Sequence, residues 1–96
     1  MKLLVIYRPD SEFARGVETF IHDFKHRHEG VGRRLEVLNY DTREGMAEAS
    51  LYDIMAQPAI LVLADDGQMV NHWEGGTLPL MDEVASYFYT GGSSQL

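Results

Sequence analysis

The chain contains no cysteine. That single absence excludes disulfides, thiolate metal sites, redox dithiols and a cysteine nucleophile. Basic residues are scarce: 8 Lys and Arg stand against 15 Asp and Glu, and the formal net charge of −7 has the wrong sign for a surface that binds phosphate backbones. Long apolar runs are missing too, since no segment nears the roughly 20 residues that cross a bilayer. "MKLLVIY" is too short for a signal peptide before it meets Arg8 and Pro9. The expectation is a cytoplasmic domain with no nucleic-acid or membrane partner. Proline is rare as well, with 3 in 96 residues, so Pro9, Pro58 and Pro79 each mark a particular break.

What is present suits one core. The 45% of hydrophobic residues, spread without repeats or biased tracts, fits a single domain of this length. Lys2 to Tyr7 is a continuous apolar run with β-branched members, the pattern of a strand buried on both faces. Phe13, Val17, Phe20, Ile21 and Phe24 then fall on one helical face, predicting a helix that starts near Asp10 or Ser11 and fades before Gly30 and Gly32. Leu35 to Tyr40 alternates as a second strand. "TREGMAEASLYDIM" predicts a second helix, with Thr42 as its cap and Gln57-Pro58 as its breaker. "AILVLADDGQMVNHWEG" places two apolar runs around Asp66-Gly67, a hairpin signal. "TLPLMDEVASYFY" closes as a helix with Leu80, Val84 and Phe88 facing inward, and Pro79 suited to its first turn. A domain over residues 1–90 with a disordered tail at 91–96 follows from this reading.

The order is therefore β-α-β-α-β-β-α: a parallel pair, then an antiparallel hairpin, in a four-stranded mixed α/β sheet with helices on both faces. With a proline directly before the third strand, that order resembles the thioredoxin-like superfamily, and residues support the likeness. "LNYDTREGMAEASLYDIMAQPAILVLADDGQMV" is similar to the thioredoxin stretch that reads L-N-x-D, a helix ending in Y-x-I, a pre-strand proline and an N-G or D-G hairpin. Leu38, Asn39, Asp41, Ala47, Tyr52, Ile54, Pro58, Gly67 and Gly76 occupy matching positions. Gly76-Thr77-Leu78-Pro79 resembles the G-A-L-P that opens the last thioredoxin helix. The likeness spans about residues 2–90; its motifs are specific only through their shared order and spacing. The first strand stands where the thioredoxin central strand stands, which implies a domain nearer to glutaredoxins in size.

The resemblance implies a C-x-x-C between the first strand and the first helix, where the helix dipole stabilises a thiolate. "SEFA" stands there, with Ser11 and Ala14 in place of the two sulfurs. Disulfide exchange needs sulfur. The buried Asp and neighbouring Lys that move protons in thioredoxins match Val5 and Val37. Site and support are both absent, which implies a thioredoxin-like module without redox function, no catalytic residue, no cofactor and no metal.

The resemblance also marks Pro58 as a cis proline, with the backbone of Gln57 pairing an extended peptide. The candidate binding groove then comprises Asp10, Ser11, Glu12, Phe13, Ala56, Gln57, Pro58, Gly75 and Gly76, and its expected partner is a protein or extended peptide. Against this stands a glutathione- or thiol-substrate-binding reading built on Ser11 and the Pro58 loop, because some glutathione transferases use a Ser or Tyr near this helix start. Those enzymes carry an all-helical second domain for which the chain has no room, and Thr77-Leu78-Pro79 follow Gly75-Gly76. Ser11 is read as a helix cap. His22 and His26, four apart, have a metal-ligand spacing, but the surrounding charges make a solvated face the better reading. Trp73 reads as core or edge packing rather than an interface anchor.

Overall fold

The computed structural model describes residues 1–93, with side chains through Tyr89. Strands β1 (Lys2–Tyr7), β2 (Leu35–Asn39), β3 (Ala59–Leu63) and β4 (Met69–Glu74) form one sheet in the order β2-β1-β3-β4. Helices α1 (Ala14–Arg27), α2 (Glu29–Gly32), α3 (Arg43–Leu51) and α4 (Met81–Ser93) complete the described chain. β1 runs parallel to β2 and antiparallel to β3, and β3 pairs antiparallel with β4. The mixed sheet and its helices are those of a thioredoxin-like α/β fold.

The two central strands are apolar throughout because both of their faces are covered. Alternation sends Leu3, Val5 and Tyr7 to one side, where with Ile60 and Val62 they meet Val17, Phe20 and Phe24 of α1 and Val84 and Ala85 of α4. Leu4 and Ile6 point the other way and join Ala59, Leu61 and Leu63 against Ala49 of α3 and Ile54. Thr42 caps α3 as expected, its hydroxyl accepting from the Gly45 N–H at 3.0 Å. Gly67 sits at φ +89° in the hairpin connection, the left-handed conformation that the Asp66-Gly67 pair supplies.

Several element ends differ from the sequence-based expectation. α1 begins at Ala14, not at Asp10 or Ser11, because residues 8–11 close a turn of their own: the Ser11 N–H and hydroxyl both donate to the Arg8 carbonyl, at 3.0 and 2.7 Å. Ser11 is therefore a turn closer and not the helix cap; the residue at the cap position is Phe13, with no side-chain bond to the helix. α1 ends at Arg27, ahead of Gly30 and Gly32 as expected, and both glycines lie in the separate short α2. α3 stops at Leu51, ahead of Gln57-Pro58, because Asp53 turns the chain at φ 56° and Ile54 dives into the core. Leu80 precedes α4 and stays 76% exposed instead of facing inward, while Val84 is fully buried. α4 itself runs through Ser93, into the segment expected to be a tail; residues 94–96 lie outside the described chain.

Among the described residues no helix is long and apolar enough to cross a membrane.

Candidate functional site

Three connections meet at one end of the sheet: β1–α1, the segment before β3, and β4–α4. Their meeting is hydrogen-bonded. The Arg8 N–H donates to the Gln57 side-chain Oε1 at 3.0 Å, and the Gly75 N–H donates to the Pro58 carbonyl at 2.9 Å. The Phe13 ring packs directly on Gly76, so that a Cβ there would lie 2.5 Å from the ring's Cε1. Phe13, Gln57, Pro58, Gly75 and Gly76 are thus brought together. Asp10 and Glu12 flank the half-buried Ser11 and are exposed, as is Ala56. The Gln57-Pro58 peptide bond is cis, as the resemblance implied.

The segment that presents Pro58 is anchored from β4. One carboxylate oxygen of Glu74 accepts the N–H groups of Met55 and Ala56, at 2.7 and 3.0 Å, and the other lies 2.9 Å from the His72 Nε2. Burial pushes the Glu74 carboxyl up, but the two amides and His72 outweigh it and hold it below the ordinary glutamate value. The side chain of Gln57 is turned inward to Arg8. Among the described residues, its own backbone N–H and C=O enter no hydrogen bond. An unpaired backbone donor and acceptor beside a cis proline can take one strand-like segment of a ligand.

The opposite wall is tied down by Arg8. Its Nε donates to both oxygens of Asp41, at 2.9 and 3.0 Å, and its guanidinium lies 5.2 Å from the Tyr40 ring centroid. The Tyr40 N–H donates to the Tyr7 carbonyl at 2.8 Å. Just inside, the Tyr7 hydroxyl donates to the Glu18 carboxylate at 2.8 Å; burial first and this bond second push the phenol up to about 12. Val5 and Val37 are register partners across β1 and β2, Val5 fully buried and Val37 39% exposed. No titratable group occupies either position.

Glu74, Arg8, Asp41 and Glu18 were not identified from the sequence as parts of this end. A carboxylate just before Gly75-Gly76 is visible, but the amides it meets lie 18 and 19 positions earlier. His22 and His26 lie on the exposed face of α1, as expected, and His22 approaches Asp23 at 3.4 Å. Among the described residues no three His, Asp or Glu side chains are grouped to hold a metal ion. Trp73 packs edge-on against Tyr87, ring centroids 5.8 Å apart, and is half-buried against the α1–α4 core.

No protein-family model and no curated protein sequence matches the chain. Solved structures do. A thioredoxin 1 from the thermophilic eubacterium Thermosipho africanus superposes over 100% of both chains with a TM-score of 0.70 and 9% identity. A malarial protein matches with a TM-score of 0.63 and 12% identity over 92% of each chain. The germline-specific thioredoxin Deadhead of Drosophila melanogaster matches with a TM-score of 0.62 and 12% identity, over 92% of this chain and 77% of its own. At these identities the likeness is one of fold.

Proposed function

We propose that this thioredoxin-like chain is a non-catalytic, cytoplasmic binding or scaffold module, and that it takes an extended segment of a partner protein at the groove between Phe13, Gln57-Pro58 and Gly75-Gly76. The supporting observation is Gln57: its side-chain oxygen accepts from the Arg8 N–H, while among the described residues its backbone N–H and C=O enter no hydrogen bond. The cysteine-free sequence leaves this end of the sheet nothing with which to exchange disulfides. Binding by backbone pairing needs no sulfur and no cofactor. A groove fixed in advance by Glu74 and Arg8 also spares a ligand part of the ordering cost.

The glutathione or thiol-substrate reading has less to support it. Its key donor, the Ser11 hydroxyl, already gives its proton to the Arg8 carbonyl. A peptide display selection followed by backbone amide mapping by NMR tests the two. The module reading expects selected peptides to shift the amides of Phe13, Gln57, Gly75 and Gly76 together. Retention on immobilised glutathione, or shifts confined to the far end of the sheet, would reject it.

A further inference from the structure

The protein carries five methionines, and they fall into two classes. Met1 and Met81 pack against the α1–α4 core and Met69 against the α3 core. Met46 and Met55 pack into neither and are 52% and 85% exposed. Those two line one shallow cavity of about 330 Å³ with Tyr40, Ala49 and Ile54. Among the described residues Met55 is the most exposed of the large apolar ones, and its N–H is fixed to Glu74 only three positions before Pro58. A thioether held out in solvent on an anchored segment is a nucleophile whose access does not wait for an opening of the fold.

We propose that Met55, with Met46 behind it, is a methionine-oxidation site at which two-electron oxidants of the peroxide class write a local change of polarity. In this step a sulfur lone pair attacks one oxygen of hydrogen peroxide. The S–O bond forms as the O–O bond breaks, and the leaving hydroxide takes up the remaining proton as water. Sulfur is oxidised by two electrons and the peroxide is reduced, giving methionine sulfoxide and water. The product replaces an apolar, flexible lining group by a polar, chiral one that accepts hydrogen bonds. The cavity wall around Tyr40 and Ile54 changes character while both cores keep their packing, since neither contains the two sulfurs. This inference goes beyond the groove reading and stands without it.

The test is a time course of the intact wild-type protein with hydrogen peroxide, quenched, digested and mapped by mass spectrometry. Met55 should gain one oxygen atom about 10-fold or more faster than Met69 or Met81, because susceptibility follows exposure, with Met46 between them. The singly oxidised protein should keep its far-ultraviolet circular dichroism while the Ile54 methyl and Tyr40 ring resonances move. In Met55→Leu, Met46 should become the fastest site. Equal rates at Met55, Met69 and Met81 would overturn the proposal. So would unfolding in step with the first oxygen, or unmoved Ile54 and Tyr40 signals in the oxidised protein.

Discussion

The Phe13 ring and the Gly76 backbone are in such close contact that any side chain at position 76 must displace the ring: a Cβ would meet Cε1 at 2.5 Å, Cδ1 at 3.0 Å and Cζ at 3.1 Å. The contact joins the start of α1 to the end of β4 across the candidate groove. Gly76→Ala should therefore destabilise the protein by about 1–3 kcal/mol through overpacking. Phe13→Leu in the same chain should return part of that loss, giving a coupling of at least ~0.5 kcal/mol in a urea-unfolding double-mutant cycle. Strict additivity of the two changes would show that the ring moves aside freely.

Disulfide chemistry gives a second prediction. The wild-type chain should show no insulin reduction with dithiothreitol or a thioredoxin reductase as electron source, because it has no cysteine. Ser11→Cys with Ala14→Cys should create a dithiol, since residues 11 and 14 are already joined by the Ala14 N–H to Ser11 carbonyl bond of 3.2 Å. Exchange should remain about 10-fold or more slower than in a thioredoxin. α1 starts only at Ala14, so position 11 lies outside the first helical turn that would lower a thiol's pKa, and Val5 supplies no proton relay. A double variant as fast as thioredoxin would remove this account.

The sheet was legible in the sequence because its signals are local and continuous. Leu3 to Tyr7 and Ala59 to Leu63 are buried runs, and the Asp66-Gly67 pair marks their hairpin partner. The resemblance matched Val5 and Val37 to a pair on neighbouring strands, and the sheet holds the two as register partners. The meeting of Phe13, Gln57-Pro58 and Gly75-Gly76 was implied by the thioredoxin resemblance rather than by the local signals. Helix ends were less legible. Ser11 looks like a cap until its hydroxyl is seen to turn back to Arg8, and nothing in "LYDIM" announces that Asp53 takes a positive φ. The Glu74 anchor was invisible for a different reason: a carboxylate's partners are backbone amides, which carry no residue-type signature.

That anchor makes an acid-side prediction. Glu74 is held below its ordinary value of 4.5, so the folded state binds its proton less readily than the unfolded chain does. Its contribution is then fully present above about pH 4.5 and is lost as pH falls through the lower, folded value. Glu74→Gln should cost about 1.5 kcal/mol at pH 7, where charge-assisted bonds to Met55 and Ala56 are weakened. Against wild type, the variant's deficit should shrink between pH 5 and about pH 3 in urea titrations. A deficit independent of pH would show that the carboxylate's charge plays no part in holding the segment.

On the alkaline side the relevant group is Tyr7, whose hydroxyl is spent on Glu18 beneath the groove. Its phenol lies at about 12 against an ordinary 10.0, because burial and the neighbouring carboxylate both disfavour the phenolate. The folded state thus holds the phenol proton more tightly than the unfolded chain. The stability this gives is complete below pH 10 and is lost as pH rises toward 12, the opposite direction to Glu74. Ring-carbon NMR should find the Tyr7 phenol still protonated at pH 11. Tyr7→Phe should cost about 1 kcal/mol near pH 8, the worth of one hydrogen bond, since Glu18 is exposed and can turn to water. Between pH 10 and 11.5 wild type should lose stability faster than the variant, and the two urea midpoints should converge. Midpoints that stay parallel across that range, or a Tyr7 ring that titrates at 10, would show that the bond to Glu18 is not formed in solution.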